Sequence, residues 1–220
     1  MTKLWTPICD KLGIEYPIFG FAHDVATVAA ITNAGGYGVY GATRRFPHEI
    51  AEDLATIKSL VGDKPFGVDL VLPPGMPEHN SREAIEAEIP QEHKDFVEGL
   101  IEKFKVPEAS GPGMRTRFIR SAEIERDQIE AVLDSKVNMF ACGIGAPSDV
   151  MQAAKARNQT TLALIGSPHH VQRSIAAGVE ILVAQGYDAG AHTGPIGTYS
   201  LVPQIVDQAG DIPVLVAGGV

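Results

Sequence analysis

Between Glu180 and Thr198 the chain reads EILVAQGYDAGAHTGPIGT, which sets a buried strand, a glycine-rich turn and a titratable histidine in direct succession. Ile181 to Ala184 is a short apolar run of the kind buried on both faces of a sheet. Gln185 ends it, and Gly186, Gly190, Gly194 and Gly197 follow closely, so the backbone can lie flat against a ligand with no Cβ in the way. His192 sits among these glycines. At the mouth of a strand an imidazole can take or give a proton near neutral pH. A lone histidine in such a turn is more often simply solvated, and the motif by itself does not separate the two readings.

Two further features bear on chemistry. Asp69 lies inside the apolar run FGVDLVL, where a carboxylate is costly unless it meets a partner, so it is expected to face a polar ligand. The chain closes on PVLVAGGV, a strand running into Gly218 and Gly219, a pair suited to binding phosphate through backbone N–H groups. The adjacent His169 and His170 invite a metal reading. Neighbours in sequence point to different sides of a helix, however, so they are read as a solvated first turn and no metal is expected. Cys9 and Cys142 lack metal spacing and form no disulfide framework. Cys142 reads as a buried strand residue.

These residues need a frame, and the hydrophobic pattern supplies one. Apolar runs centred on Phe19, Val39, Val68, Phe140, Leu164, Val183 and Leu215 predict seven strands. Between them lie helical segments: one capped by Asp24, one opened by Pro47 with Ile50, Leu54, Ile57 and Val61 on one face, one capped by Ser148, one capped by Ser167 and ended by Gly178, and SLVPQIVDQAG. Alternating strands and helices at roughly thirty residues per unit predict a parallel α/β fold, a (β/α)8 barrel with seven strands present and the eighth missing or supplied elsewhere. On that reading 1–220 is one barrel domain, incomplete at its C-terminal end. The rhythm breaks across 73–136, which is expected to be a helical insertion, either a lid or interface or else a solvated decoration.

Composition narrows the partners. Twenty-seven acidic against 18 basic residues give a net charge of −9 with no basic stripe, so nucleic acid is not expected. No apolar run approaches the roughly 20 residues that span a bilayer, and the first residues lack the pattern of a signal peptide, which predicts a cytoplasmic protein with no membrane partner. A small-molecule substrate is the expected partner, and the insertion suggests a homodimer.

AGGYGVYGA (34–42), FGVDL (66–70), ILVAQGYDAGAHTG (181–194), LVPQIVD (201–207) and PVLVAGGV (213–220) resemble the motifs of the nitronate monooxygenase family, formerly called 2-nitropropane dioxygenases. The resemblance runs along nearly the whole chain outside the insertion. It implies an FMN-dependent TIM barrel in which Gln185, Gly190 and Asp69 face the flavin, Gly218 and Gly219 receive its phosphate, and His192 is the catalytic base. The sequence departs from the family in three places: GFAHD replaces the Ala-Pro-Met turn after the first strand, Ala191 stands for a glycine, and Asp69 stands for an asparagine. The first departure puts His23 at a strand mouth, where it is either a substrate-binding group or a cap beside Asp24.

The activity so implied is oxidation of nitronates or nitroalkanes with O2 to a carbonyl compound and nitrite. Similar barrels suggest an alternative, an FMN-dependent dehydrogenase or enoyl reductase acting on an acyl-CoA or acyl-carrier thioester. A third reading, of another class, is a fragment that binds flavin or phosphate without turnover.

Overall fold

The computed structural model describes residues 4–111 and 118–220. Its residues group into two units, 1–74 with 127–220, and 75–126.

The first unit is built on one seven-stranded sheet, β1 (Phe19–Ala22), β2 (Tyr37–Gly41), β3 (Gly67–Val71), β4 (Met139–Ile144), β5 (Thr160–Ile165), β6 (Ile181–Gln185) and β7 (Val214–Ala217). The spatial order equals the chain order, and every neighbouring pair is parallel. All seven strands fall where the apolar runs predict them. Sequential parallel strands joined by helices are the construction of a TIM barrel, and this sheet curls in the same sense round a shared inner face.

Alternation along the strands divides the core in two. Outward side chains, among them Tyr40, Val68, Leu70, Phe140, Cys142, Leu182 and Ala184, pack beneath the helices. The covering helices are α2 (Val25–Asn33), α3 (Pro47–Val61), α6 (Ala122–Leu133), α7 (Ser148–Ala156), α8 (Val171–Ala177) and α9 (Thr198–Ala209). In α3 the stripe Ile50, Leu54, Ile57 and Val61 is buried as its spacing predicts, each side chain stabilising the sheet contact by roughly 1.5–3 kcal/mol.

Inward side chains form the second core, in which Tyr37, Val39, Met139, Ala141, Leu162 and Ile181 meet Ile8 and Cys9 of α1 (Pro7–Leu12). Tyr37, Met139 and Ile181 are the first residues of their strands, so α1 floors the sheet at its N-terminal end. The apolar pattern of the first fifteen residues is too short to announce this helix.

Helix ends follow local chemistry, with one correction. Asp24 accepts from the Thr27 N–H at 2.8 Å and caps α2 as expected. Ser167 caps a 3-10 turn, Pro168–His170, that leads into α8, and Gly178 ends α8 in the left-handed region. Ser148, in contrast, is the first helical residue of α7; Pro147 holds the cap position and no side chain caps it.

The second unit contains α4 (Arg82–Glu88), capped by the Ser81 hydroxyl, and α5 (Gln91–Phe104), neither of which buries a residue. Arg126 forms a two-pronged pair with Glu78, and Arg120 pairs with Glu125 at 3.0 Å. Within the expected insertion, the stretch SGPGMRTRF (110–118) lies mostly outside the described residues. Among the described residues no helix is long and apolar enough to cross a membrane.

Candidate active site

Because all strands are parallel, their C-terminal ends share one rim, and the loops leaving them carry the polar residues that the sequence singles out. Inside that rim lies a cavity of about 1160 Å³ lined by strand residues Phe19, Val39, Asp69, Ala141, Leu164 and Gln185 and by Gly190 and His192 of the loop after β6.

Asp69 is its one buried acid. It sits mid-way along β3, paired in register with Gly41 and Ala141, and is 6% exposed. Its Oδ1 is fully enclosed and has no hydrogen-bond partner among the described residues. Burial pushes the Asp69 carboxyl up to about 7, against the opposing pull of the Gly143 N–H. Gly143 packs directly against the carboxylate: a Cβ there would stand 3.3 Å from both of its oxygens. Nothing in the sequence marks Gly143, since one glycine in an apolar strand carries no spacing signal.

The loop between β6 and α9 is tied at its base. Tyr187 N–H donates to the Ile196 carbonyl at 3.0 Å, Ala189 N–H to the Gly186 carbonyl at 3.0 Å, and Thr198 N–H to the Asp188 carboxylate at 2.8 Å. That last bond holds the Asp188 carboxyl below its usual range. A Cβ on Gly186 would lie 2.1 Å from the Thr198 hydroxyl, so only glycine lets the strand end meet the start of α9. Gln185 turns its amide back on the loop, donating to the Gly190 carbonyl at 3.2 Å. Ala191 then takes the left-handed conformation, φ +68°, at the position where the resemblance leads one to expect glycine. His192 comes next, exposed on the cavity wall.

Gly218 and Gly219 follow β7 on the same rim, both at positive φ. Gly218 packs so closely that a Cβ would approach the Ala189 nitrogen to 2.5 Å, which joins the glycine pair to the loop that carries His192. The flanking Ala217 and Val220 line the cavity. His23 lies apart from these residues. Its Nδ1 is 3.0 Å from the Gly41 carbonyl, its ring meets Phe21 edge-on, and it is not among the residues lining the cavity.

A second chamber, of about 470 Å³, adjoins the first and shares with it Gly143, Ile144, Leu164, Gln185 and His192. It opens over the ends of β4, β5 and β6 and is lined by Ser167, His170, Arg173 and Thr193. The sequence reading places His169 and His170 together in solvent; both are exposed, but His170 borders this chamber and His169 does not. Among the described residues no group of three or more His, Cys, Asp or Glu is arranged to hold a metal ion.

A curled parallel sheet with a largely apolar, histidine-bearing cavity at its C-terminal rim is the arrangement of a (β/α)-barrel. The chain belongs to the nitronate monooxygenase family, whose sequence profile matches residues 6–220. A Mycobacterium tuberculosis protein provisionally named a monooxygenase is 35% identical over 228 residues, covering 98% of this chain and 60% of its own length. A Staphylococcus saprophyticus protein provisionally named a nitronate monooxygenase is 30% identical over 242 residues, covering 99% and 62%. The chain thus spans about 60% of the length of these relatives. Among solved structures, FabK from Thermotoga maritima superposes with a TM-score of 0.71 at 22% identity, covering 99% of this chain and 55% of its own, and so shares the fold.

Proposed function

We propose that the chain is the greater part of an FMN-dependent oxidoreductase that oxidises nitronates or nitroalkanes, with His192 as its acid–base residue. The observation that carries this reading is the convergence of His192, Gln185, Gly190 and the unsatisfied Asp69 oxygen on one cavity, with the Gly218–Gly219 turn on the same rim. A nitroalkane oxidase from Streptomyces ansochromogenes shares the fold, with a TM-score of 0.69 at 24% identity over 94% of this chain and 58% of its own.

The residues suit a flavin. Asp69 offers a buried oxygen that lacks a partner among the described residues, and the glycine pair, both members at positive φ, suits a phosphate through its N–H groups. FMN, when bound, supplies the two-electron redox chemistry. The chain's own part is to hold the substrate's reacting carbon beside His192, to keep water away with the apolar strand residues, and to move the proton. The imidazole removes the proton α to the nitro group, or, protonated, neutralises the charge on the nitro oxygens. Asp69 in its neutral form adds no negative charge beside an anionic substrate.

The test is nitrite release from propionate 3-nitronate and nitroethane by the FMN-loaded protein. His192→Ala is expected to lower kcat for nitroethane by about 10²- to 10⁴-fold, the usual contribution of a positioned general base. A variant as active as the parent removes His192 from the mechanism.

One relative favours a second reading. A Mycobacterium tuberculosis protein named as a dehydrogenase of a hydroxy-methyl-oxo-octahydroindene carboxyl-CoA is 24% identical over 99% of this chain, covering 49% of its own length. On that reading His192 exchanges a proton α to a thioester. Anaerobic bleaching of the flavin by an acyl-CoA, with no response to nitronate, selects it, and a protein that never takes up FMN leaves only binding of another phosphate ligand without turnover.

A further inference from the structure

We infer that the second chamber is an anion-binding subsite, in which Arg173, with His170 and Ser167, receives a carboxylate or phosphate ester on the far end of the substrate whose reacting carbon lies at His192. The inference rests on the oxidoreductase reading for the role of His192, and on the chamber itself for the rest.

Four observations converge. The chamber and the main cavity share His192 and Gln185, so one molecule can occupy both. The lining of the chamber contains Arg173, His170 and His192 and not one Asp or Glu, in a chain with 27 acidic residues. Arg173 has no ion pair or hydrogen bond among the described residues, although most of the described arginines are engaged: Arg45 with Asp53, Arg82 with Glu86, Arg120 with Glu125, Arg126 with Glu78 and Arg157 with Glu130. Ser167, His170 and Thr193 add donors around it.

Position gives the occupant its orientation. The chamber opens over β4 to β6, whereas the glycine pair follows β7, across β6 from it. A cofactor phosphate at Gly218–Gly219 and an anion at Arg173 would therefore lie on opposite sides of His192 and would not compete. A guanidinium presents a planar fork that matches the two oxygens of a carboxylate or phosphate, which a neutral substrate cannot use.

The experiment compares two substrates of the FMN-loaded protein that differ in one charged group, propionate 3-nitronate and the nitronate of 1-nitropropane. Arg173→Gln is expected to raise KM for the first about tenfold relative to the second, the effect of losing one charge-assisted hydrogen bond, with the change falling on KM rather than kcat. Arg173→Lys should recover part of the loss, since it keeps the charge without the fork. A KM ratio that stays as in the parent overturns the proposal. A second measurement, independent of turnover, is calorimetric titration of parent and Arg173→Gln proteins with succinate and with inorganic phosphate. Succinate binding that disappears in the variant identifies a carboxylate arm, and phosphate binding that disappears identifies a phosphorylated one. Neither ion bound, or both bound equally by the two proteins, overturns the subsite. Anion binding lost in the variant together with no nitrite from either substrate keeps the subsite and removes the nitronate reading.

Discussion

At the scale of single residues, Asp69 shows what a sequence can and cannot say. An acid within FGVDLVL has to be either paired or aimed at a ligand, and that much is legible from hydropathy alone. That its Oδ1 lacks a partner depends on Gly143 and Ala141 of β4, some seventy residues away in the chain, which no local pattern shows. The pH consequence has a definite sign. The folded carboxyl titrates at about 7 against an ordinary 3.8, so between those values the native state holds a proton that the unfolded chain has released. Stability is therefore lost as pH rises across that window and levels off above it. Asp69→Asn, which does not titrate, should be less sensitive to pH there and relatively more stable above pH 7. Urea midpoints of the two flavin-free proteins at a series of pH values check this, and parallel curves would show that the folded acid is not protonated. His192 is the reverse case: its place in the motif was readable, whereas Ala191 at φ +68° beside it was not, since alanine gives no hint of a left-handed backbone.

At the scale of elements, the seven strands and most helices were legible because burial on both faces of a parallel sheet leaves continuous apolar runs. Helix α1 was not. It is six residues long and is held in place by contacts with the inner face of the sheet, so its stability is tertiary rather than local. The chamber at Arg173 was missed for a related reason: Ser167 and His170 come from the segment after β5 and Thr193 from the loop after β6, and they meet only when β5 and β6 are paired. The junction of β6 with α9 gives this scale its prediction. Gly186→Ala would set a methyl group 2.1 Å from the Thr198 hydroxyl and 2.5 Å from its backbone nitrogen. Main-chain atoms cannot swing aside as a side-chain tip does, so the variant should lose on the order of 2 kcal/mol or more of stability and bind FMN more weakly. Thermal melts and flavin fluorescence read both effects. A variant that melts with the parent would mean the junction is looser than described.

At the scale of the whole molecule, the two cores separate by side-chain direction, and each contains one cysteine, Cys9 in the inner and Cys142 in the outer. Both are reduced and buried. Titration with a thiol reagent should find neither available in the native protein and both after unfolding, with exposure of Cys9 alone marking release of α1 from the sheet. Simultaneous slow reaction of the two would show that the floor and the helical layer open together. The barrel class was legible in the order of strands, but the contrast between an acidic surface and an acid-free chamber was not, because net charge says nothing of where the cations gather.

Gly166 and Gly194 touch main chain to main chain, so closely that a Cβ on Gly194 would stand 2.2 Å from the Gly166 carbonyl oxygen. The first begins the segment leading to Arg173, and the second lies two residues beyond His192. Their contact acts as a gauge: the spacing of the two segments that carry His192 and Arg173 is set by two backbones rather than by adjustable side chains, so the proposed subsite would sort molecules by length as well as by charge.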